Sequence, residues 1–194
     1  MIELREVRAD SKLDGSEIEV IAKLQVSEMA ETLTSIRGEA TASNLYRRLL
    51  NNGGSIVVAT EDESVVGVLS YTVNHSRIAS LGTVVSSPRS WLKVISKNGI
   101  GGLIRDLKDA YSVSHKVRTF ENQMLYITTL FVDSKKQNQG VSTLMFDLVK
   151  KQSILLNLPV VVDTRANNDR AISFYKRQGM VEYARTSMSV IFKD

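Results

Sequence analysis

The sequence predicts a mixed α/β fold of the α+β type, with strands and helices interleaved along 194 residues. Three observations carry this expectation. Residues Ile56–Thr60 and Val65–Val73 are two apolar, β-branched runs joined by the charged turn Glu61-Asp62-Glu63-Ser64, the pattern of a hairpin. Leu125–Val132 is a second kind of strand, leading through Gln137-Asn138-Gln139-Gly140-Val141-Ser142 into a helix. In that helix Val141, Leu144, Met145, Leu148 and Val149 fall on one face at spacings of three and four. A further strand, Val160–Thr164, is followed by the helix Asp169–Gln178 and a closing hairpin of Val181–Ala184 and Met188–Phe192.

The remaining elements follow in order. Ile2–Val7 alternates apolar and polar and reads as an opening strand. A helix is expected over Ser16–Ser35 from Ile18, Ile21, Ala22, Leu24 and Met29, with Ser16 as N-cap and Glu19 completing a capping box. A second helix over Ala40–Leu50 is closed by Asn51-Asn52-Gly53-Gly54. Residues 75–123 form a long connection, which must have structure or function of its own. Trp91, Leu92, Val94 and Ile95 suggest one short helix there, and Leu103, Ile104, Leu107, Ala110 and Tyr111 another. Asn98-Gly99-Ile100-Gly101-Gly102 is then a hinge between them. No strand leads into this glycine cluster, so it is not a dinucleotide fingerprint. Pro159 separates the helix Val141–Asn157 from the next strand.

Composition narrows the function classes. Hydrophobic content of 43% and charged content of 24% are those of an ordinary globular protein, and one domain over residues 1–194 is expected. No apolar run approaches the roughly 20 residues that span a bilayer. The start of the chain lacks a basic stretch followed by an apolar one, so a cytoplasmic location is expected. There are no cysteines, and two histidines, His75 and His115, are too few for a histidine metal site; no metal is expected. The net charge is +4, and residues 75–123 hold more than that excess: Arg77, Arg89, Lys93, Lys97, Arg105, Lys108, Lys116 and Arg118 against Asp106, Asp109 and Glu121. Such a wall is a solvated face, or it attracts an anionic acceptor or cofactor phosphates. Few aromatics and no binding motif argue against nucleic acid.

A strand, a Gly-bearing loop and a helix start make an anion site, because the first-turn N–H groups and the macrodipole both favour phosphate. Gly140 permits close backbone approach. Further on, Asn168-Asp169-Arg170-Ala171-Ile172-Ser173-Phe174-Tyr175 precedes Gln178-Gly179-Met180. On these two ordered motifs the chain resembles the GNAT superfamily of N-acetyltransferases, firmly from about Leu125 to Val181. Gln137, Gly140 and Ser142 fall on the family's Gln/Arg-x-x-Gly-x-Gly/Ala loop; Asn168, Ala171, Phe174, Tyr175 and Gly179 fall on its second motif. Two departures stand out: Ser142 replaces a Gly or Ala, and Asn138 and Gln139 stand where many relatives are basic.

The resemblance implies a central, mostly antiparallel sheet flanked by helices, with 75–123 as a helical insertion between strands 3 and 4. It implies acetyl-CoA as cosubstrate, its pyrophosphate cradled by backbone N–H groups of Gln137, Asn138, Gln139, Gly140, Val141, Ser142 and Thr143. Leu130, Phe131 and Val132 would pair with the pantetheine arm, one N–H polarising the thioester. Asn168, Ala171 and Phe174 would flank the cofactor, and Tyr175 would protonate the departing thiolate. No carboxylate occupies Thr128 or Thr129, where some relatives carry the base, which leaves Glu121 or an ordered water. Trp91 and His75 are candidates for the acceptor pocket. The expected function is acetyl transfer to a primary amine of a small molecule, such as an amino sugar or sugar nucleotide, with a homodimer as the suggested assembly. A protein or peptide acetyltransferase and a non-catalytic acyl-CoA-binding sensor are the alternatives.

Overall fold

The residues Ser-Ile-Val-Val-Ala at 55–59 are apolar on both alternating faces, so a strand there has to be covered from both sides. The computed structural model, which describes residues 1–8, 13–73, 88–120 and 123–194 (only backbone for 88–90), meets that demand. Its elements are β1 (Glu3–Val7), α1 (Gly15–Glu28), α2 (Leu33–Arg37), α3 (Glu39–Asn51), β2 (Ser55–Glu61) and β3 (Ser64–Thr72). Then come α4 (Pro88–Val117), β4 (Leu125–Val132), α5 (Val141–Leu156), β5 (Val160–Arg165), α6 (Asp169–Arg177), β6 (Val181–Arg185) and β7 (Ser189–Lys193). The strands make one seven-stranded sheet in the order β1-β2-β3-β4-β5-β7-β6. Every neighbouring pair is antiparallel except β4 and β5.

Alternation along the strands sorts side chains into two cores. Ile56, Val58, Val68 and Phe131 face α1 and α3, where they meet Ile18, Ile21, Tyr46 and Leu49. Val57, Ala59, Leu69, Val160 and Val162 face the other way, onto Val141, Met145, Phe146 and Val149 of α5 and Tyr175 of α6. The end of α4 covers the sheet on the α1 side, packing Val113 and Val117 on Tyr126, Val161 and Ile191. Each fully buried side chain of this size contributes roughly 1.5–3 kcal/mol.

Several expectations change. The helix expected over Ser16–Ser35 is two helices, broken at residues 29–32. Thr32 caps α2 through Oγ1, which accepts from Ser35 N at 3.3 Å. Ser16 is not an N-cap and forms no capping box. Asp14 holds that position, and Ser16 Oγ donates to its carboxylate at 2.6 Å. The two short helices of the insertion are the halves of α4, and the hinge is narrower than expected: Gly99, at φ 69 and ψ 167, carries the whole break. His75, Arg77 and Glu121 lie outside the described residues, as does the side chain of Arg89.

Two local features place the loop after β4. A Cβ on Gly67 of β3 would stand 3.0 Å from Met145 Cε and 3.2 Å from Val141 Cγ1, so the glycine lets the start of α5 lie close to the sheet. Between β3 and β4 the pairing passes from Tyr71↔Ile127 to Ser70↔Thr129, leaving Thr128 as the extra residue of a bulge.

Gly67→Val should therefore cost about 1–3 kcal/mol of stability by overpacking under α5. Urea titration measures it: a lower midpoint at unchanged slope is expected. An unchanged midpoint would show that α5 does not depend on that close approach.

Candidate functional site

Parallel β4 and β5 pair only at Leu125↔Val160, Tyr126↔Val161 and Ile127↔Val162. Past Ile127 the Thr128 bulge bends β4 away, and the remaining N–H and C=O groups on that edge, from 128 to 132, have no strand beside them. Ser70 Oγ holds the bulge, lying 2.6 Å from both Thr128 Oγ1 and Thr129 Oγ1, while Thr128 Oγ1 donates to Ser70 O at 3.2 Å. Where the strands part, a cavity of about 650 Å³ passes through the sheet. Its size suits a small-molecule ligand.

One mouth of the cavity lies on the α5 and α6 side. There Gln137, Asn138, Gly140, Val141, Ser142 and Thr143 form its wall, with Leu130, Phe131 and Val132 from the free edge of β4. Asn138 and Gly140 both adopt left-handed backbone, φ 63 and φ 81. Gly140 is the N-cap of α5 and has no side chain to cap with. The N–H groups of Val141, Ser142 and Thr143 consequently have no acceptor among the described residues, and they open onto the cavity with the positive end of the helix dipole. Nothing lies within 4 Å of where a Cβ on Gly140 would be, so the glycine serves its φ and leaves the space beside it open.

The opposite wall comes from α6: Asn168, Ala171, Phe174 and Tyr175. Asn168 caps this helix, its Oδ1 accepting from Ala171 N at 3.1 Å. The arginine of the same first turn, Arg170, donates to Gln137 Oε1, while Gln137 Nε2 donates to Val132 O at 3.3 Å. These bonds tie loop, strand and helix into one frame. Tyr175 sits among Phe146, Phe174 and Phe192 at centroid distances of 5.3–6.2 Å. Its hydroxyl has no hydrogen-bond partner among the described residues. Burial first, and then the charge of Asp163, raise its pKa well above that of a free tyrosine, so it keeps its proton at neutral pH.

Most of the predicted site residues thus meet around one cavity. Gln139 does not: it is exposed, with Nε2 donating to Lys135 O at 3.3 Å, away from the cavity wall. Trp91 lines no part of it, and the Arg37 guanidinium lies 4.8 Å above its ring. Glu121, the predicted carboxylate base, lies outside the described residues.

The structure also brings in residues that sequence reasoning missed. Lys136, Arg170 and Arg177 also line the cavity and supply cationic side chains that Asn138 and Gln139 lack. Lys136 is paired with Glu61, which raises its pKa. At the other mouth, on the α1 side, Glu28 at the end of α1 and Met29, Ala30, Glu31 and Thr32 of the break before α2 line the cavity, joined by Arg165 at the end of β5 and Asn167 beyond it. Thr32, a cap residue interrupting an apolar period, was the one local signal for that break.

A family model described as the acetyltransferase (GNAT) family matches residues 23–180. No curated protein sequence matches the chain. Among solved structures, PH1933 from Pyrococcus horikoshii OT3 superposes with a TM-score of 0.61 at 13% identity, covering 100% of this chain and 98% of that one. Arabidopsis thaliana NAA60 in complex with acetyl-CoA gives 0.59 at 15% identity, with 100% and 98% covered. The ribosomal-protein-S18-alanine N-acetyltransferase from Escherichia coli gives 0.57 at 12%, with 100% and 92% covered. At these identities the likeness is one of fold.

Replacing Gly140 should separate charge from backbone strain. Gly140→Asn tolerates the left-handed φ and adds no charge, whereas Gly140→Asp places a carboxylate where phosphate would approach. Calorimetric titration with coenzyme A should show Gly140→Asp at least about tenfold weaker than Gly140→Asn, a difference of 1.4 kcal/mol. Equal affinities would show that phosphate binds elsewhere.

Proposed function

The chain belongs to the acetyltransferase (GNAT) family of acetyl-CoA-dependent acyltransferases, and we propose from that premise that it acetylates the primary amine of a small molecule by direct transfer, in one domain of residues 1–194. The observation that carries this reading is the cavity through the sheet. It has an uncapped helix N-terminus and a free strand edge on one side, and acidic and basic side chains of the α1–α2 break and β5 on the other. Two ligands can enter from opposite faces and meet between β4 and β5.

Acetyl-CoA supplies the acyl group as an activated thioester. The N–H groups of Val141, Ser142 and Thr143, with the loop from Gln137 to Gly140, bind its pyrophosphate, aided by the rim cations Lys136 and Arg170. The free edge at Leu130, Phe131 and Val132 hydrogen-bonds the pantetheine amides in the manner of an added strand. An N–H of this edge steadies the thioester oxygen as negative charge develops there. Asn168, Ala171 and Phe174 close the other side. As the amine nitrogen bonds to the carbonyl carbon and the carbon–sulfur bond breaks, the Tyr175 hydroxyl gives its proton to the sulfur. Burial and the charge of Asp163 keep the hydroxyl protonated, so the proton is present when the thiolate forms. The amine must shed a proton as well, and Glu28 and Glu31 are the carboxylates bordering the acceptor mouth.

A small acceptor is favoured over a polypeptide because α4 lies against the acceptor mouth and is joined to the α1–α2 break by Lys97, which donates to Ala30 O at 3.0 Å. Such a bridge restricts the open groove an extended peptide needs.

Acetyl-CoA at 100 times its dissociation constant should stabilise the fold by about 2.7 kcal/mol, raising the melting temperature by several degrees. A melting curve unmoved by millimolar acetyl-CoA, with a silent titration, would overturn the assignment. With an accepted amine in hand, Tyr175→Phe should lower kcat about 10²-fold while leaving both KM values nearly unchanged. A kcat within threefold of the parent would remove the hydroxyl from the mechanism.

A further inference from the structure

The second half of α4 is anchored by two aspartates, each 7% exposed. Asp109 accepts from Ser189 Oγ and Thr186 Oγ1 at 2.5 Å and from Met188 N at 3.1 Å, which fastens the helix to the turn between β6 and β7. Asp106 accepts from Arg165 Nη2 at 3.1 Å and from Asn98 Nδ2 at 3.3 Å, which fastens it to the end of β5. A second cavity, of about 320 Å³, lies in the angle so formed, between α4, the α1–α2 break and the end of β5. Glu31 and Arg165 line both this cavity and the larger one, so the two adjoin.

Its charges are arranged by sign. Arg165 and Asp106 neutralise one another. Lys97 and Arg105 remain as cations on the α4 wall; Lys97 is held by Ala30 O, and Arg105 has no partner among the described residues. Glu31 stands at the junction with the larger cavity, next to the Ala30 carbonyl that holds Lys97, and Arg105 lies farther along α4. A molecule with a cationic amine at one end and an anion at the other matches this layout, with the amine toward Glu31 and the acyl site and the anion toward Arg105.

We propose that this second cavity is the acceptor-specificity site and that it selects small amines carrying an anionic group, a carboxylate or a phosphate, on the same molecule. The inference rests on the acetyl-transfer reading above and extends it to the substrate class. At about 320 Å³ the cavity accommodates a compact molecule, the size of an amino acid or a single sugar unit. Arg105 is the discriminating residue. Its guanidinium makes charge-assisted bonds to a carboxylate or phosphate, which a neutral analogue does not return.

The test uses matched pairs of amines: glucosamine 6-phosphate against glucosamine for phosphate, and β-alanine against propylamine for carboxylate, with CoA release as the readout. The anionic member of at least one pair should have a kcat/KM about tenfold or more above its neutral partner. Which pair responds distinguishes phosphate from carboxylate. In Arg105→Glu the preference should vanish or reverse, while the acetyl-CoA-induced melting shift persists. Equal use of both members in each pair, a preference that survives Arg105→Glu, or faster acetylation of uncharged peptide amino termini would overturn the proposal. If no amine turns over, calorimetry of each pair on the CoA-saturated protein decides, and absence of binding by either anionic member overturns it. Failure of acetyl-CoA itself to bind would instead defeat the acetyl-transfer reading.

Discussion

The parting of β4 from β5 is the constraint on which the rest of the site depends. Two parallel strands would ordinarily pair along their length and seal the sheet. Here one extra residue, Thr128, shifts the β3–β4 register and turns β4 away after three paired residues. The bulge leaves backbone groups unpaired by β5, and unpaired groups are costly unless water or a ligand satisfies them. Three hydroxyls, on Ser70, Thr128 and Thr129, bond to each other across β3 and β4 and stabilise the irregular register. Thr128 and Thr129 are thus devoted to holding the bulge.

The second half of the site depends on how closely α5 approaches the sheet. Gly67 provides the space beneath Val141 and Met145, and Gly140 provides the turn that starts the helix without a side-chain cap. The two glycines act for different reasons, one steric and one conformational. Together they aim three free N–H groups into the opening between β4 and β5. With Asn138 and Gln139 in the loop, positive potential comes from the backbone and from cations carried by neighbouring elements, Lys136, Arg170 and Arg177. Charge borne by fixed dipoles needs no reorganisation when an anion arrives.

The connection between β3 and β4 shapes the cavity mouth on the α1 side. Its described part is a long helix bent at Gly99 and anchored by Asp106 and Asp109 to β5 and to the β6–β7 turn. A carboxylate with so little exposure is tolerated because several donors surround it. The anchoring also has a chemical effect, since pairing with Asp106 keeps Arg165 at the place where the two cavities meet. Of the basic residues of this segment, Lys97 and Arg105 line a cavity, while Asp106 is taken up by Arg165 from outside the segment.

Much of the fold was legible in the chain because its signals are local. The strand Leu125–Val132, the helix beginning at Val141, the Asn168 cap and the two hairpins each follow from periodicity, turn chemistry or a left-handed glycine within a few residues. The same locality made most of the cavity-lining residues readable, since two short motifs hold them. What the tertiary structure decided joins residues far apart in sequence. The bulge needs Ser70 and Thr128, 58 positions apart, and the Arg165–Asp106 pair spans 59. Whether Glu31 or Gln139 faces the cavity depends on where a helix breaks or how a loop turns, which no periodicity encodes. Local sequence determined which elements form, because backbone conformation is chosen by near neighbours. Packing determined which strands part and which charges meet, because register and burial are settled only when distant segments share one core.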